Sequence, residues 1–127
     1  MAIWANTNSM LDDYYKRPDV NIQDDERGIN YKNTMRHIVG PAIMAQVYGP
    51  DFTRRLGGFK EAKDFYSGQP FNDQMIDLRN NQRGIGFAVH NPNATKEDIL
   101  EYALDRAIMN YDQDYNSKSL YELLLGN

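Results

Sequence analysis

Asp77, Asn80 or Asn81, Gly84 and Ala88 recur at the i, i+3/i+4, i+7, i+11 spacing that faces one direction on a helix. That stripe carries a carboxylate, amides and a glycine where an ordinary amphipathic helix carries leucines. Buried polar groups must find hydrogen-bond partners. A fold containing this helix therefore has two choices: it packs the stripe around a polar partner, or it leaves it lining a site. The chain offers one obvious partner, Arg36-His37, on an earlier helical stretch. The residue types alone do not name a reaction.

The rest of the chain reads as helix. Met35, Ile38/Val39, Ala42/Ile43 and Val47 repeat at helical spacing from Asn30 onward, interrupted by Gly40-Pro41. Proline at 41 lacks an N–H and crowds the carbonyl of His37, so a kink or a new helix start is expected there. Gly49-Pro50-Asp51 reads as stop, turn and N-cap, followed by an inward face of Phe52, Leu56, Phe59 and Ala62/Lys63. Asn72 or Asp73 caps the helix that bears the polar stripe and runs toward Phe87. After a turn at His90-Asn91-Pro92-Asn93, Thr95 and Asp98 form an acidic capping box. The helix they open buries Ile99, Ala103, Ala107 and Tyr111, with Leu104 and Ile108 alongside. A last short helix is expected from Ser117 to Leu125, and no stretch sustains period-two alternation.

Residues 1–28 differ in character. Trp4, Leu11, Tyr14 and Tyr15 are scattered among Asn, Asp and Ser, before Pro18 and the acidic run Asp24-Asp25-Glu26. A short helix over Ser9–Tyr15 with Ser9 as N-cap fits, and the remainder reads as an extended arm. Aromatics on a polar arm dock onto something, either the chain's own domain or a neighbour. The expected architecture is all-α: a single compact domain of about five helices over 29–127, with an extended N-terminal arm over 1–28.

Composition narrows the function classes. A chain of 127 residues can bury a core without staples, and its lack of cysteine removes disulfides, thiolate nucleophiles and thiolate metal sites. The net charge of -4 argues against general nucleic-acid binding, so Arg54-Arg55 and Arg79/Arg83 read as solvated helix faces. No apolar run reaches the roughly 20 residues that span a bilayer, and Met1–Asn6 lacks the basic and apolar regions of a secretory signal. The expected setting is cytoplasmic on synthesis.

No common catalytic motif is present. Gly84-Ile85-Gly86 lacks the third glycine of a dinucleotide fingerprint and follows a helix rather than a strand. Two histidines cannot build a His-rich zinc site, and Asp112/Asp114 lack the glycine and distal glutamate of a calcium loop. No metal and no cofactor is expected. What remains is Arg36, His37, Glu61, Asp77, Asn80 and Asn81.

The order Arg36-His37, then Glu61, then Asp77-Leu78-Arg79-Asn80-Asn81-Gln82-Arg83-Gly84 resembles an uncharacterised small helical domain of bacterial and phage proteins. That family reads Arg-His-x-x-Trp, then His-Glu, then Asp-Leu-x-Asn-Asn-x-x-Gly, and the overlap covers roughly residues 30–88. Gly40 or Pro41 stands where the tryptophan would fall, and Lys60 stands where the family has the histidine before Glu61. The resemblance implies a helical fold and a polar cluster rather than a known reaction.

Two functional expectations follow. In the first, Arg36, His37, Asp77, Asn80 and Asn81 are a structural polar cluster, and the chain is a non-enzymatic structural or assembly protein. The resemblance points to a phage virion component synthesised in the host cytoplasm. Its partners are protein subunits, including copies of itself, reached through Trp4, Leu11, Tyr14 and Tyr15 on the arm. In the second, the chain is a small hydrolase or accessory lytic enzyme with His37, Glu61, Asp77 and Asn81 as catalytic candidates. His37 would act as general base oriented by Asp77, and Asn80 or Asn81 would bind an oxyanion.

Overall fold

The polar stripe is seated on a helix that packs against the proline-bearing one. In the computed structural model, which describes residues 2–20, 22, 25–57 and 71–111, the elements are α1 (Ala2–Tyr15), α2 (Glu26–Tyr48), α3 (50–57), α4 (Phe71–His90) and α5 (Lys96–Met109). The described residues contain no strand, and the all-α single-domain architecture holds. The expectations that fall on Phe59, Lys60, Glu61, Ala62, Lys63 and the helix from Ser117 to Leu125 lie outside the described residues.

α2 is the axis. It begins at Glu26, earlier than the Asn30 expected, because Asp25 is its N-cap: the carboxylate accepts from the Gly28 amide at 2.8 Å. It then runs unbroken through Pro41 to Tyr48, so no second helix starts at the proline. Gly49, at φ 92°, ends α2 by donating its N–H to the Ala45 carbonyl and opens α3 by accepting from the Thr53 amide. Pro50 occupies the first helical position of α3, where its missing N–H costs nothing. Asp51, expected as the cap, sits in the first turn and pairs with Arg54 at 3.3 Å.

α4 lies along α2 in the same direction: His37 faces Asp77, Ile38 meets Gly84, and Ala45 clusters with Ile85 and Ala88. α5 returns the other way. Its start is tied to the end of α2 by Gln46, which donates to the Ala94 carbonyl at 2.9 Å, and its end meets the start of α2 through an edge-on Tyr31–Tyr111 contact. The Thr95–Asp98 capping box forms as read from the sequence, worth about 1 kcal/mol. The central apolar cluster joins Met35, Ile38, Val39 and Ala42 of α2 to Ile99, Leu100, Ala103 and Ala107 of α5.

The N-terminal segment is more helical than expected. α1 spans Ala2–Tyr15 rather than starting at Ser9, and Leu11 and Tyr14 belong to the central cluster. Short helices rich in Asn and Ser are stabilised mainly by such tertiary packing. The Tyr15 hydroxyl donates to the Lys32 carbonyl at 3.2 Å, and burial raises its pKa, so it stays a neutral donor. Arg17 binds Glu97, tying the end of α1 to the first turn of α5. Among the described residues no helix is long and apolar enough to cross a membrane.

Thr7 is fully buried and its hydroxyl has no hydrogen-bond partner among the described residues. An unpaired buried hydroxyl is a net cost that an isosteric apolar side chain removes. Thr7→Val is therefore expected to raise stability by about 1 kcal/mol, read as a higher midpoint in urea unfolding; a lower midpoint would show that the hydroxyl is engaged.

Candidate functional site

Three helices converge on the polar stripe. His37 Nε2 lies 3.4 Å from Asp77 Oδ1, with the two side chains only 14 % and 7 % exposed. One turn further along α4, Asn81 is buried against both helices. With its amide turned so that the NH2 faces the nearby carbonyls, Asn81 donates to the backbone oxygens of Asp77 and His37, each at 3.2 Å.

The second of those bonds follows from the sequence of α2. In an α-helix the carbonyl of residue 37 would accept from the amide of residue 41. Residue 41 is proline, so the His37 oxygen is left over. Asn81 supplies the missing donor from the neighbouring helix.

Gly84 completes the seam. A Cβ built on it would collide with the Ile38 carbonyl oxygen and lie 3.1 Å from that carbonyl carbon and 3.2 Å from the Ala42 amide nitrogen. The two backbones therefore touch one turn beyond Asn81, beside the proline. α3 closes the other side, since a Cβ on Gly57 would sit 3.3 Å from the Asn81 amide. Buried Thr34 on α2 and Gln74 on α4, three residues before His37 and Asp77, extend the polar seam in the opposite direction. Neither was singled out from sequence, although the same i−3 spacing points to both.

The expected cluster is not wholly assembled. Arg36 turns away from α4: its Nε donates to Asn8 Oδ1 on α1 at 3.2 Å. Neighbouring helix positions point about 100° apart, so Arg36 and His37 cannot both face one partner. Asn80 is fully buried, but its Oδ1 accepts from Arg83 on its own helix at 2.7 Å, and its Nδ2 is unpartnered. Glu61 lies outside the described residues, as does the side chain of Trp4. Leu11 and Tyr14, expected as contacts, are buried within the chain, and Tyr15 is half-buried against α2.

Chemically, a His–Asp pair can move a proton. Here Nε2 of His37 points at Asp77, and the adjoining amide is spent on backbone carbonyls. Among the described residues no group of three His, Cys, Asp or Glu is placed to hold a metal ion. A separate groove of about 590 Å³ lies at the far end of α4, lined by Phe87, Asn91, Asn93, Asp98, Glu101, Tyr102 and Asp105 among others. It does not include His37, Asp77 or Asn81. No known protein family, curated protein or solved structure matches this chain.

Proposed function

We propose that this chain is a non-enzymatic structural protein that acts by docking on neighbouring subunits of an assembly, with a phage virion as the setting the family resemblance implies. The observation that supports this reading is the use to which the polar stripe is put. Asn81 satisfies the backbone oxygen that Pro41 leaves open, and Gly84 lets the two helix backbones meet beside it. The groups that would have to receive a substrate instead hold α2 against α4. Hydrolysis by His37, Glu61 and Asp77 would need a cavity reaching His37.

The docking contact itself moves. Leu11 and Tyr14 serve the chain's own core, so they are not the residues offered to a neighbour. Large apolar side chains are exposed elsewhere, on the end of α2, on α3 and on the end of α5. Phe52, expected to face inward, and Val47 and Ile108, which follow the apolar spacing or lie beside the buried side, are all about half exposed or more. Of the exposed side chains, Tyr48 and Phe52 adjoin one another, and adjoining exposed apolar groups mark interaction sites.

The test is the native mass of the full chain by light scattering after gel filtration. The expected result is a particle several times the mass of one chain. A clean monomer at all concentrations would overturn the assembly reading and return the hydrolase.

A further inference from the structure

Two described surfaces of this chain are complementary to each other. The first is the exposed edge where α2 turns into α3. Tyr48 and Phe52 are 53 % and 49 % exposed there, with ring centroids 5.4 Å apart, and Val47 extends the patch. Arg55, one turn on from Phe52, is exposed on the same side, while Arg54, also exposed, pairs with Asp51.

The second is the groove between the end of α4 and the start of α5. Its floor is aromatic: Phe87 and Tyr102 stack with centroids 4.2 Å apart and planes 17° apart. Its rim holds three carboxylates, Asp98, Glu101 and Asp105, and the described lining residues include no Lys or Arg. Arg106 lies over the Tyr102 ring, and even with that cation counted the carboxylates prevail.

On α4, Asp77, Asn81, Gly84 and Ala88 face α2. α3 approaches at Asn81 on one side of that line, whereas α5 approaches at Phe87 and the Arg83 carbonyl on the other. The aromatic–basic edge and the aromatic–acidic groove both lie toward the end of α2, where Gln46 bonds the groove residue Ala94.

We propose that the edge formed by Tyr48, Phe52 and Arg55 of one copy, with the basic α3 around it, docks into the groove formed by Phe87, Tyr102, Asp98, Glu101 and Asp105 of the next. The proposal rests on the assembly reading and names its partner as a second copy of this chain. Aromatic side chains on an aromatic floor supply the buried apolar contact, and the arginines meet the carboxylate rim. Because the two surfaces differ, the contact either closes reciprocally in a two-fold dimer or repeats head-to-tail into a ring or an open filament.

The experiment uses two charge-reversed forms of the full chain, followed by sedimentation velocity. One carries Arg54→Glu with Arg55→Glu; the other carries Glu101→Lys with Asp105→Lys, sparing Asp98 because it caps α5. All four positions are exposed, and unchanged helical circular dichroism would establish that both forms fold. Each alone is expected to self-associate at least tenfold more weakly than the parent. Mixed in equal amounts, they are expected to recover assembly, since each intact surface finds its partner on the other form and the two reversed surfaces are again opposite in charge. Parent-like assembly by either form, or a mixture that stays monomeric, would overturn this interface while leaving the assembly reading in place. A parent chain that is itself monomeric would overturn both.

Discussion

Gly84→Ala is expected to cost about 3 kcal/mol, the upper end of what an inserted methyl costs in a packed interior. The atoms it would strike belong to the Ile38 carbonyl, which is helix backbone and cannot swing aside as a side chain would. Relief would require α2 and α4 to separate, loosening the Asn81–His37 bond as well. For a domain of this size the melting temperature should fall by about 10 °C, measured by circular dichroism. Gly86→Ala is the internal control. It lies two residues along the same helix, and a Cβ there meets nothing within 4 Å. Ala is favoured over Gly in a helix interior, so this change should add about 0.5–1 kcal/mol. Opposite signs at two neighbouring glycines would locate the close approach; a neutral Gly84→Ala would show that the helices are not in backbone contact.

Asn81→Ala carries the second large effect. The change removes donors to two carbonyl oxygens, those of Asp77 and His37. The Asp77 oxygen belongs to an intact helix, but the His37 oxygen faces a proline, which has no N–H to give it. Leaving such a group buried and unsatisfied costs about 1–3 kcal/mol, and the cavity left by the amide adds to it, so a total of about 2–3 kcal/mol is expected. The midpoint of urea unfolding should drop with an unchanged m-value, as befits a loss of stability without a change in the surface exposed. A midpoint within error of the parent would mean that Asn81 is not bonded to α2.

Local chemistry was the part of this fold most legible in the residues. The Thr95–Asp98 capping box needs only three neighbouring positions to be recognised, and it forms as written. Pro41 announced that the His37 oxygen would lack its usual donor, and the Asp/Asn stripe on a later helix offered partners. Whether Asn80 or Asn81 would reach that oxygen depends on a rotation of one residue about α4, which only packing decides; Asn81 reaches it and Asn80 turns to Arg83. Arg36 was grouped with His37 by adjacency in sequence, although helical geometry sends adjacent residues to different neighbours.

Elements whose stability comes from elsewhere in the chain were harder to read. Ala2–Ser9 has no strong helical pattern of its own, and α1 is secured by Leu11 and Tyr14 inserting into a core contributed by α2 and α5. Asp25 was hidden as a cap inside an acidic run that reads equally well as an arm. Val47, Phe52 and Ile108 follow the apolar spacing and yet remain exposed, because periodicity marks a face without saying whether the same chain covers it. Those exposed residues bear most directly on assembly.

One bond is central to the α2–α4 seam: the Asn81 amide replaces the donor that Pro41 withholds. A double-mutant cycle between positions 41 and 81 tests it directly. Pro41→Ala restores an N–H that can reach the His37 oxygen from within α2, so Asn81 loses its special task in that background. Effects of the lost proline ring and of the amide cavity cancel in the cycle, leaving the interaction between the two sites. Asn81→Ala is expected to cost at least about 1 kcal/mol less in the Pro41→Ala chain than in the parent, in line with couplings between residues that share a hydrogen-bonding group. Equal costs in the two backgrounds, within about 0.3 kcal/mol, would contradict the claim that the polar stripe is the joint of this domain.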